Sequence, residues 1–331
     1  MDFTLSPDQE LLRDTARQLL RRECPPEVLR AHIEDPAAAD PLWRHLREFA
    51  ALGDGPVTDL CLFAEETGYV AAPGPFLPTV ALFSPLLGAL GHELLAPAVA
   101  GEVTGTVAVA GTDGVWQAND DRVKTFVPEA DRVDWVAVVS SGPAVTLVQS
   151  PPTWRVATVD FSRRMFEVEV GSDAGPAQSV DPEAFETVLE RATVALAAEM
   201  AGTARRLFDM ALAYAKERVQ FDRPIGSFQA VQHLCADMLR AVELARAGGY
   251  YACWAADTAD AAERHRSATM TKAFASDELY RVGASAVQVF GGIGFTWEHD
   301  IHLFLKRLMS LQRIGGGSDE HLDELASLIL D

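Results

Sequence analysis

The hydrophobic period of this 331-residue chain changes twice, and that limits the folds open to it. Up to about residue 104 the apolar residues recur at helical spacing. Leu12, Ala16, Leu19 and Leu20 form one set, Leu42, His45, Leu46 and Phe49 a second, and Leu60–Tyr69 a third. From 105 to 170 the runs are short and rich in β-branched residues: GTVAVAG, RVKTFV, WVAVVSS, AVTLVQS, WRVATVD and MFEVEV. Turn chemistry such as Asn119-Asp120-Asp121 and Gly142-Pro143 separates them. Helical spacing then returns in long stretches, with Leu207, Met210, Ala211 and Tyr214 on one face, Val231, Leu234, Cys235 and Met238 on another, and Leu279, Val282, Gly283, Ala286 and Val287 on a third. A pattern of one period cannot serve the other element. The expected fold is therefore α+β: an N-terminal helical domain at 1–104, a small antiparallel middle β domain at 105–170, a Gly/Pro/Ser-rich linker at 171–182 and a C-terminal antiparallel helical bundle at 183–331.

Local signals agree with these divisions. Ser6-Pro7-Asp8-Gln9 places a capping serine, a proline at the first helical position and a glutamine three residues after the cap. Pro25 and Pro26 interrupt that first helix, and Asp181-Pro182 opens a long one. No uncharged apolar run approaches the length of a membrane span, and no charged-then-apolar leader stands at the N-terminus, so a cytoplasmic location is expected. A formal charge of −20 argues against nucleic acid as a partner. Cys24, Cys61, Cys235 and Cys253 are scattered without metal-ligand spacing.

Residues 218–238, RVQFDRPIGSFQAVQHLCADM, carry the most functional information. Arg218 ends a helical stretch, a turn follows around Pro224 and Gly226, and a second amphipathic helix begins. The turn holds a guanidinium (Arg218), an aromatic ring (Phe221) and an amide (Gln229). A planar charged fork suits a diphosphate, a ring can cover a base, and an amide can bond a ribose or phosphate oxygen. On residue types alone, a helix–turn–helix corner with a salt-bridged arginine is an equal reading.

This segment resembles the cofactor signature of the acyl-CoA dehydrogenase family, R-x-x-F-x-x-x-I-x-x-F-Q. QVFGGIGFTWEHDIHLFLKR at 288–307 resembles the family's second cofactor loop, and SPDQELLRDTARQLL its first helix. The resemblance implies an N-terminal helical domain, a small middle β domain and a C-terminal four-helix bundle, with FAD as cofactor. It assigns Arg218 to the FAD pyrophosphate, Phe221 to the adenosine portion, Ile225 and Phe228 to the same groove, and Gln229 to a hydrogen bond with the cofactor. Gln288, Val289, Phe290, Gly291 and Gly292 match the second loop. The family's reaction removes the α-proton of an acyl-CoA with a carboxylate while a hydride leaves the β-carbon, and an electron-transfer flavoprotein takes the electrons.

The chain departs from the pattern in three places. Where many members carry the catalytic glutamate, Gly316 stands within Gly315-Gly316-Gly317-Ser318; where another branch carries it, Ala192 stands. Glu190 and Glu199 are the carboxylates nearest that second place, and Glu199 is otherwise expected to pair with Arg205, Arg206 or a neighbour. The middle-domain segment that holds the flavin ring is reduced to Thr112, Asp113 and Gly114, and the glycine-rich loop after LREFAALG is absent. Asp222 stands where glycine is common.

In the family each FAD lies across a subunit interface, one subunit giving the β-domain pocket and base, its neighbour the arginine motif. The sequence thus reads as the non-base subunit of an α2β2 heterotetramer with a longer acyl-CoA dehydrogenase subunit, acting on a steroid side-chain or other bulky acyl-CoA. A self-sufficient homo-oligomer using Glu199 or Glu190, and a scaffold without chemistry, are the alternatives. His299 and His302 share a helix face, but no third ligand is indicated, so no metal is expected.

Overall fold

The computed structural model describes residues 4–171 and 174–330. Helices α1 (Pro7–Glu23), α2 (Pro26–Glu34), α3 (Asp40–Leu46), α4 (Val57–Tyr69), α5 (Phe76–Pro78), α6 (Ser84–Leu90) and α7 (Leu95–Val99) come first. Strands β1 (Gly105–Ala108), β2 (Val123–Pro128), β3 (Trp135–Ser140), β4 (Ala144–Gln149), β5 (Thr153–Val156), β6 (Met165–Glu169) and β7 (Gln178–Ser179) follow. Then come α8 (Pro182–Glu217), the short strands β8 (Val219–Gln220) and β9 (Arg223–Pro224), α9 (Gln229–Thr258), α10 (Ala261–Phe274), α11 (Tyr280–Phe290), α12 (Ile301–Leu311) and α13 (Ser318–Leu330). The predicted caps form: Ser6 Oγ accepts from the Gln9 amide at 3.2 Å while Gln9 answers the Ser6 amide at 3.1 Å, and Asp181 accepts from the Ala184 amide at 3.0 Å.

Two compact units divide the chain. One comprises Met1–Pro26, Cys61–Ala72 and Leu196–Asp331, the other Glu27–Leu60 and Pro73–Ala195. These units cut across the boundaries expected at 104 and 182. The N-terminal stretch contributes to both units, and so does the 36-residue α8, roughly 54 Å long, which is divided after Ala195.

In the unit that holds the strands, β1-β3-β4-β7 form one sheet and β2-β6-β5 another. The domain is not purely antiparallel as expected, because β1 runs parallel to β3. Strand β7 also adds a pairing to β4 inside the stretch expected as linker, of which 172–173 lie outside the described residues. Strand β3 explains the continuous β-branched runs. Ala137 and Val139 point into a core with Phe83, Leu86, Val107 and Val188, while Val136 and Val138 point into a second core with Val127, Phe166 and Val168. A strand buried on both faces needs no polar alternation.

In the helical unit, α8 and the C-terminal part of α4 cross at a pair of reciprocal glycines. A Cβ on Gly68 would lie 2.0 Å from the Glu199 carbonyl oxygen, and one on Gly202 only 1.7 Å from that of Glu65. Thr203 locks the crossing by donating to the Gly68 carbonyl at 3.1 Å. Ion pairs flank it: Arg17 to Glu66 at 2.7 Å and Arg246 to Glu65 at 2.8 Å. Burial pushes the Glu65 carboxyl upward, against the pull of Arg246.

Candidate functional site

The segment from Arg218 to Gln229 folds as a hairpin between two long helices. The α8 helix ends at Glu217, β8 pairs with β9, and the two residues between them, Phe221 and Asp222, both have positive φ, 54° and 62°. That is the backbone of a tight two-residue hairpin, which normally favours glycine or asparagine. Glycine after Phe221 would be unstrained, and Asp222 is among the few other residues that tolerate the conformation. Phe221 tolerates it poorly, yet the residue is 84% exposed, and its ring meets the edge of Phe228 at 6.0 Å. Backbone strain of this kind clusters at active sites, ligand clamps and switch regions. The turn is pressed against α8 at Gly226, where a Cβ would lie 2.8 Å from the Ala215 carbonyl oxygen.

Arg218 is exposed, and only its backbone is bonded among the described residues: its carbonyl accepts from the Ile225 amide at 2.8 Å. The salt-bridged corner that residue types alone allowed does not form. Gln229 is exposed at the first position of α9, and Ile225 and Phe228 are half-buried beneath it. The guanidinium of Arg223 covers Phe228 at 4.1 Å, a contact that the sequence did not suggest.

The second motif reaches the first through an aromatic stack. Phe290, at the end of α11, lies on Tyr214 of α8 with ring centres 4.2 Å apart and planes at 15°. Tyr214 is one turn before Arg218. Of the five residues matched to this loop, Val289 and Phe290 turn inward, at 7% and 5% exposure, and so position the loop rather than face a ligand. Gln288 is exposed, and Gly291 adopts φ 65°, ψ −142°, open in practice to glycine alone. Nothing lies within 4 Å of a Cβ built on Gly291 or Gly292, so this backbone has an uncovered face. His299 packs on Phe290 at 4.4 Å and His302 meets Trp297 edge-on at 4.8 Å. No cluster of three or more potential metal ligands occurs among the described residues.

The positions considered for the base have other occupations. Gly316 has φ 95°, and a Cβ there would lie 3.1 Å from His321 Nε2. Its carbonyl accepts from Lys272 Nζ at 2.9 Å, and the same ammonium donates to Leu311 and Gln312 at 3.2 Å. His321 donates to the Gly315 carbonyl at 2.9 Å, and the Gly317 amide donates to Glu320. Burial lowers the Lys272 ammonium to about 7, with Glu320 opposing the shift and Arg313 adding to it. This anchoring went unseen in the sequence; its one signal was a lone lysine among small residues in SATMTKAFAS. Glu199 and Arg307 are both fully buried, 2.8 Å apart, and Arg307 also donates to the Ala71 carbonyl at 3.1 Å. The partner of Glu199 is thus neither Arg205, which bonds Asp209 at 3.0 Å, nor Arg206. Glu190 is buried in the other unit, beside Ala192.

In the middle domain the remnant at 112–114 is turned on itself. The amide and hydroxyl of Thr112 both donate to Asp121, at 2.8 and 2.9 Å, and hold its carboxyl below the usual range. Gly111 is covered, since a Cβ there would meet Asp121 Oδ2 at 2.6 Å. Buried Lys124 closes the loop through Asn119, at 2.6 Å to its carbonyl and 2.7 Å to its side-chain oxygen.

Comparison with known proteins agrees with this geometry. The acyl-CoA dehydrogenase C-terminal domain matches residues 183–327. Acyl-CoA dehydrogenase IpdE2 of Mycolicibacterium smegmatis is 33% identical over 340 residues, covering 97% of this chain and 98% of that one. Acyl-CoA dehydrogenase FadE34 of Mycobacterium tuberculosis is 32% identical over 83% of this chain, which spans only 38% of FadE34. The steroid acyl-CoA dehydrogenase Tcur3481-Tcur3483, solved as a G363A variant, superposes with a TM-score of 0.87 at 27% identity over 99% of each chain. With a curated relative matched over nearly its whole length, this chain belongs to the acyl-CoA dehydrogenase family of oxidoreductases.

Proposed function

We propose that this chain is the non-base subunit of a cytoplasmic, FAD-dependent acyl-CoA dehydrogenase. It supplies the adenine-dinucleotide half of the flavin site, and a longer partner subunit supplies the β-domain pocket and the catalytic carboxylate. The single observation that carries the reading is an asymmetry. The Arg218 hairpin and the Gly291-Gly292 backbone offer exposed groups to a ligand, while the places for the base and for the flavin ring are closed by internal bonds. FadE34 is more than twice the length of the matched stretch, so in that protein the homologous portion is joined to further sequence, and this reading places a comparable complement on a separate subunit.

The exposed groups fit FAD. Arg218 would hold the pyrophosphate with a forked, charged donor set, Phe221 would cover the adenosine, and Gln229 and Gln288 would bond ribose or phosphate oxygens. Gly291 and Gly292 would let the backbone approach the phosphates. Ile225, Phe228, Val289 and Phe290 hold these groups in place from beneath. When bound, FAD supplies the acceptor for the hydride leaving the acyl β-carbon. The substrate class is a bulky acyl-CoA thioester of the steroid side-chain type, by analogy with the steroid enzyme that this chain resembles in fold. An electron-transfer flavoprotein would reoxidise the complex.

The test is co-expression with the longer subunit, followed by flavin absorbance and turnover. The complex is expected to bind FAD stoichiometrically and the lone chain to be colourless. Arg218→Ala is expected to strip FAD from the assembled complex. A lone chain that holds stoichiometric FAD and dehydrogenates acyl-CoA would overturn the proposal.

A further inference from the structure

The helical unit contains a cavity of about 220 Å³, lined by Arg21, Cys24, Pro25, Tyr69, Arg206 and Phe304 among others. Two guanidinium groups face it. That of Arg21 lies 4.9 Å from the centre of the Tyr69 ring, and that of Arg206 lies 5.4 Å from the same ring and 5.7 Å from Phe304. Beyond these ring contacts, neither guanidinium makes a hydrogen bond or ion pair among the described residues. That is unexpected in a chain with 48 acidic and 28 basic residues, where a carboxylate is rarely far from a cation.

The nearby carboxylates are committed elsewhere. Asp209 accepts from Tyr69 Oη at 3.0 Å and pairs with Arg205 at 3.0 Å. Glu66 pairs with Arg17, and Glu199 with Arg307. Cys24 adds no charge to the wall, since burial pushes its thiol up to about 12. The cavity therefore has a double positive charge, aromatic walls and no internal counter-ion. A guanidinium stacked on a ring keeps its donors for a planar oxyanion.

We propose that this cavity binds a small oxyanion, a phosphate or carboxylate group, through the guanidinium groups of Arg21 and Arg206, which the Tyr69 ring holds in place. Its volume lies below the range of pockets that enclose drug-sized ligands, about 300–1,000 Å³, so neither FAD nor a CoA ester fits. It is also separate from the cofactor half-site: Arg206 precedes Arg218 by twelve residues of α8 and its end, about 18 Å along the axis.

The full-length chain carrying Arg218→Gln, so that the cofactor half-site contributes nothing, is titrated calorimetrically at constant ionic strength. Inorganic phosphate and succinate are titrated separately, against chloride. Saturable binding of one site per chain is expected for at least one of the two, and the preferred anion identifies the class. Arg21→Gln and Arg206→Gln should each weaken it about tenfold or more, as loss of a charge-assisted hydrogen bond implies. Arg206→Lys, which keeps the charge and the ring contact, should retain part of the affinity. Arg205→Gln, whose arginine is already paired, should leave it unchanged. Absence of saturable binding by either anion, or binding undiminished in the Arg21→Gln/Arg206→Gln double variant, would overturn the proposal.

Discussion

Replacing Glu199 with glutamine separates a structural carboxylate from a catalytic one. Glu199 and Arg307 have no exposed side-chain surface and lie 2.8 Å apart, and the guanidinium is further held by the Ala71 carbonyl at 3.1 Å. The amide preserves shape and one acceptor oxygen but removes the charge that compensates a buried cation. Breaking a buried pair from one side costs about 3–5 kcal/mol. The retained acceptor and the Ala71 carbonyl put Glu199→Gln near the lower bound, about 3 kcal/mol. A companion Arg307→Met should be comparably destabilising. The double variant should lose less than the sum of the two, by about 2 kcal/mol, because the second change removes the orphan that the first created. Urea unfolding followed by circular dichroism measures the stabilities, and turnover of the partnered complex is measured per bound FAD. The expected result is a lowered midpoint with unchanged turnover per flavin. An unchanged midpoint with turnover abolished at full FAD occupancy would refute the structural assignment and make Glu199 the base.

Three further outcomes follow from the same geometry. Gly316→Glu should not create a working base: at φ 95° a side chain is strained by about 1–2 kcal/mol, so the lone chain should stay inactive toward acyl-CoA and unfold at lower urea. Gly202→Ala should cost about 3 kcal/mol or prevent folding, because its Cβ would lie 1.7 Å from a carbonyl oxygen; normal yield and an unchanged unfolding midpoint would contradict the helix crossing. Lys272 falls from its ordinary 10.5 to about 7 in the fold. Between those values the unfolded chain binds a proton that the folded chain lacks, so stability should rise with pH from about 7 to 10.5, and Lys272→Met should flatten that slope in urea titrations run across the range.

The sequence made the helices legible wherever a cap or a proline marked an end, as at Ser6-Pro7 and Asp181-Pro182, because those signals act within one turn. It made the strands legible from their β-branched runs but not their direction, since the parallel pairing of β1 with β3 depends on contacts between segments distant in sequence. The Arg218 hairpin was legible as a motif, whereas its strain was not, since a positive φ at Phe221 follows from the two-residue connection rather than from the residue. The partners of buried charges were least legible. Arg307 lies 108 residues from Glu199, and nothing local distinguishes it from Arg205 or Arg206.

The loops at the two places considered for the base and for the flavin ring are closed by a common device, which differs in kind from a single changed side chain. At 315–317 successive backbone groups are tied to His321, Lys272 and Glu320, and two of the glycines adopt positive φ. At 111–124 the amide and hydroxyl of Thr112 are spent on Asp121, and Lys124 fixes the loop through Asn119. Each loop satisfies its own polar groups, so neither is left with donors that need a ligand. The hairpin shows the opposite arrangement. Phe221 bears an unfavourable backbone conformation with an edge contact to Phe228 in return, and Arg218 has no side-chain partner at all among the described residues. Strain of this kind is imposed by the surrounding structure, here the two-residue connection, and it clusters at ligand clamps and active sites. A protein that had abandoned chemistry altogether would have no reason to keep that hairpin strained and bare while sealing the other two loops. The contrast favours a working half-site completed by another subunit over a scaffold.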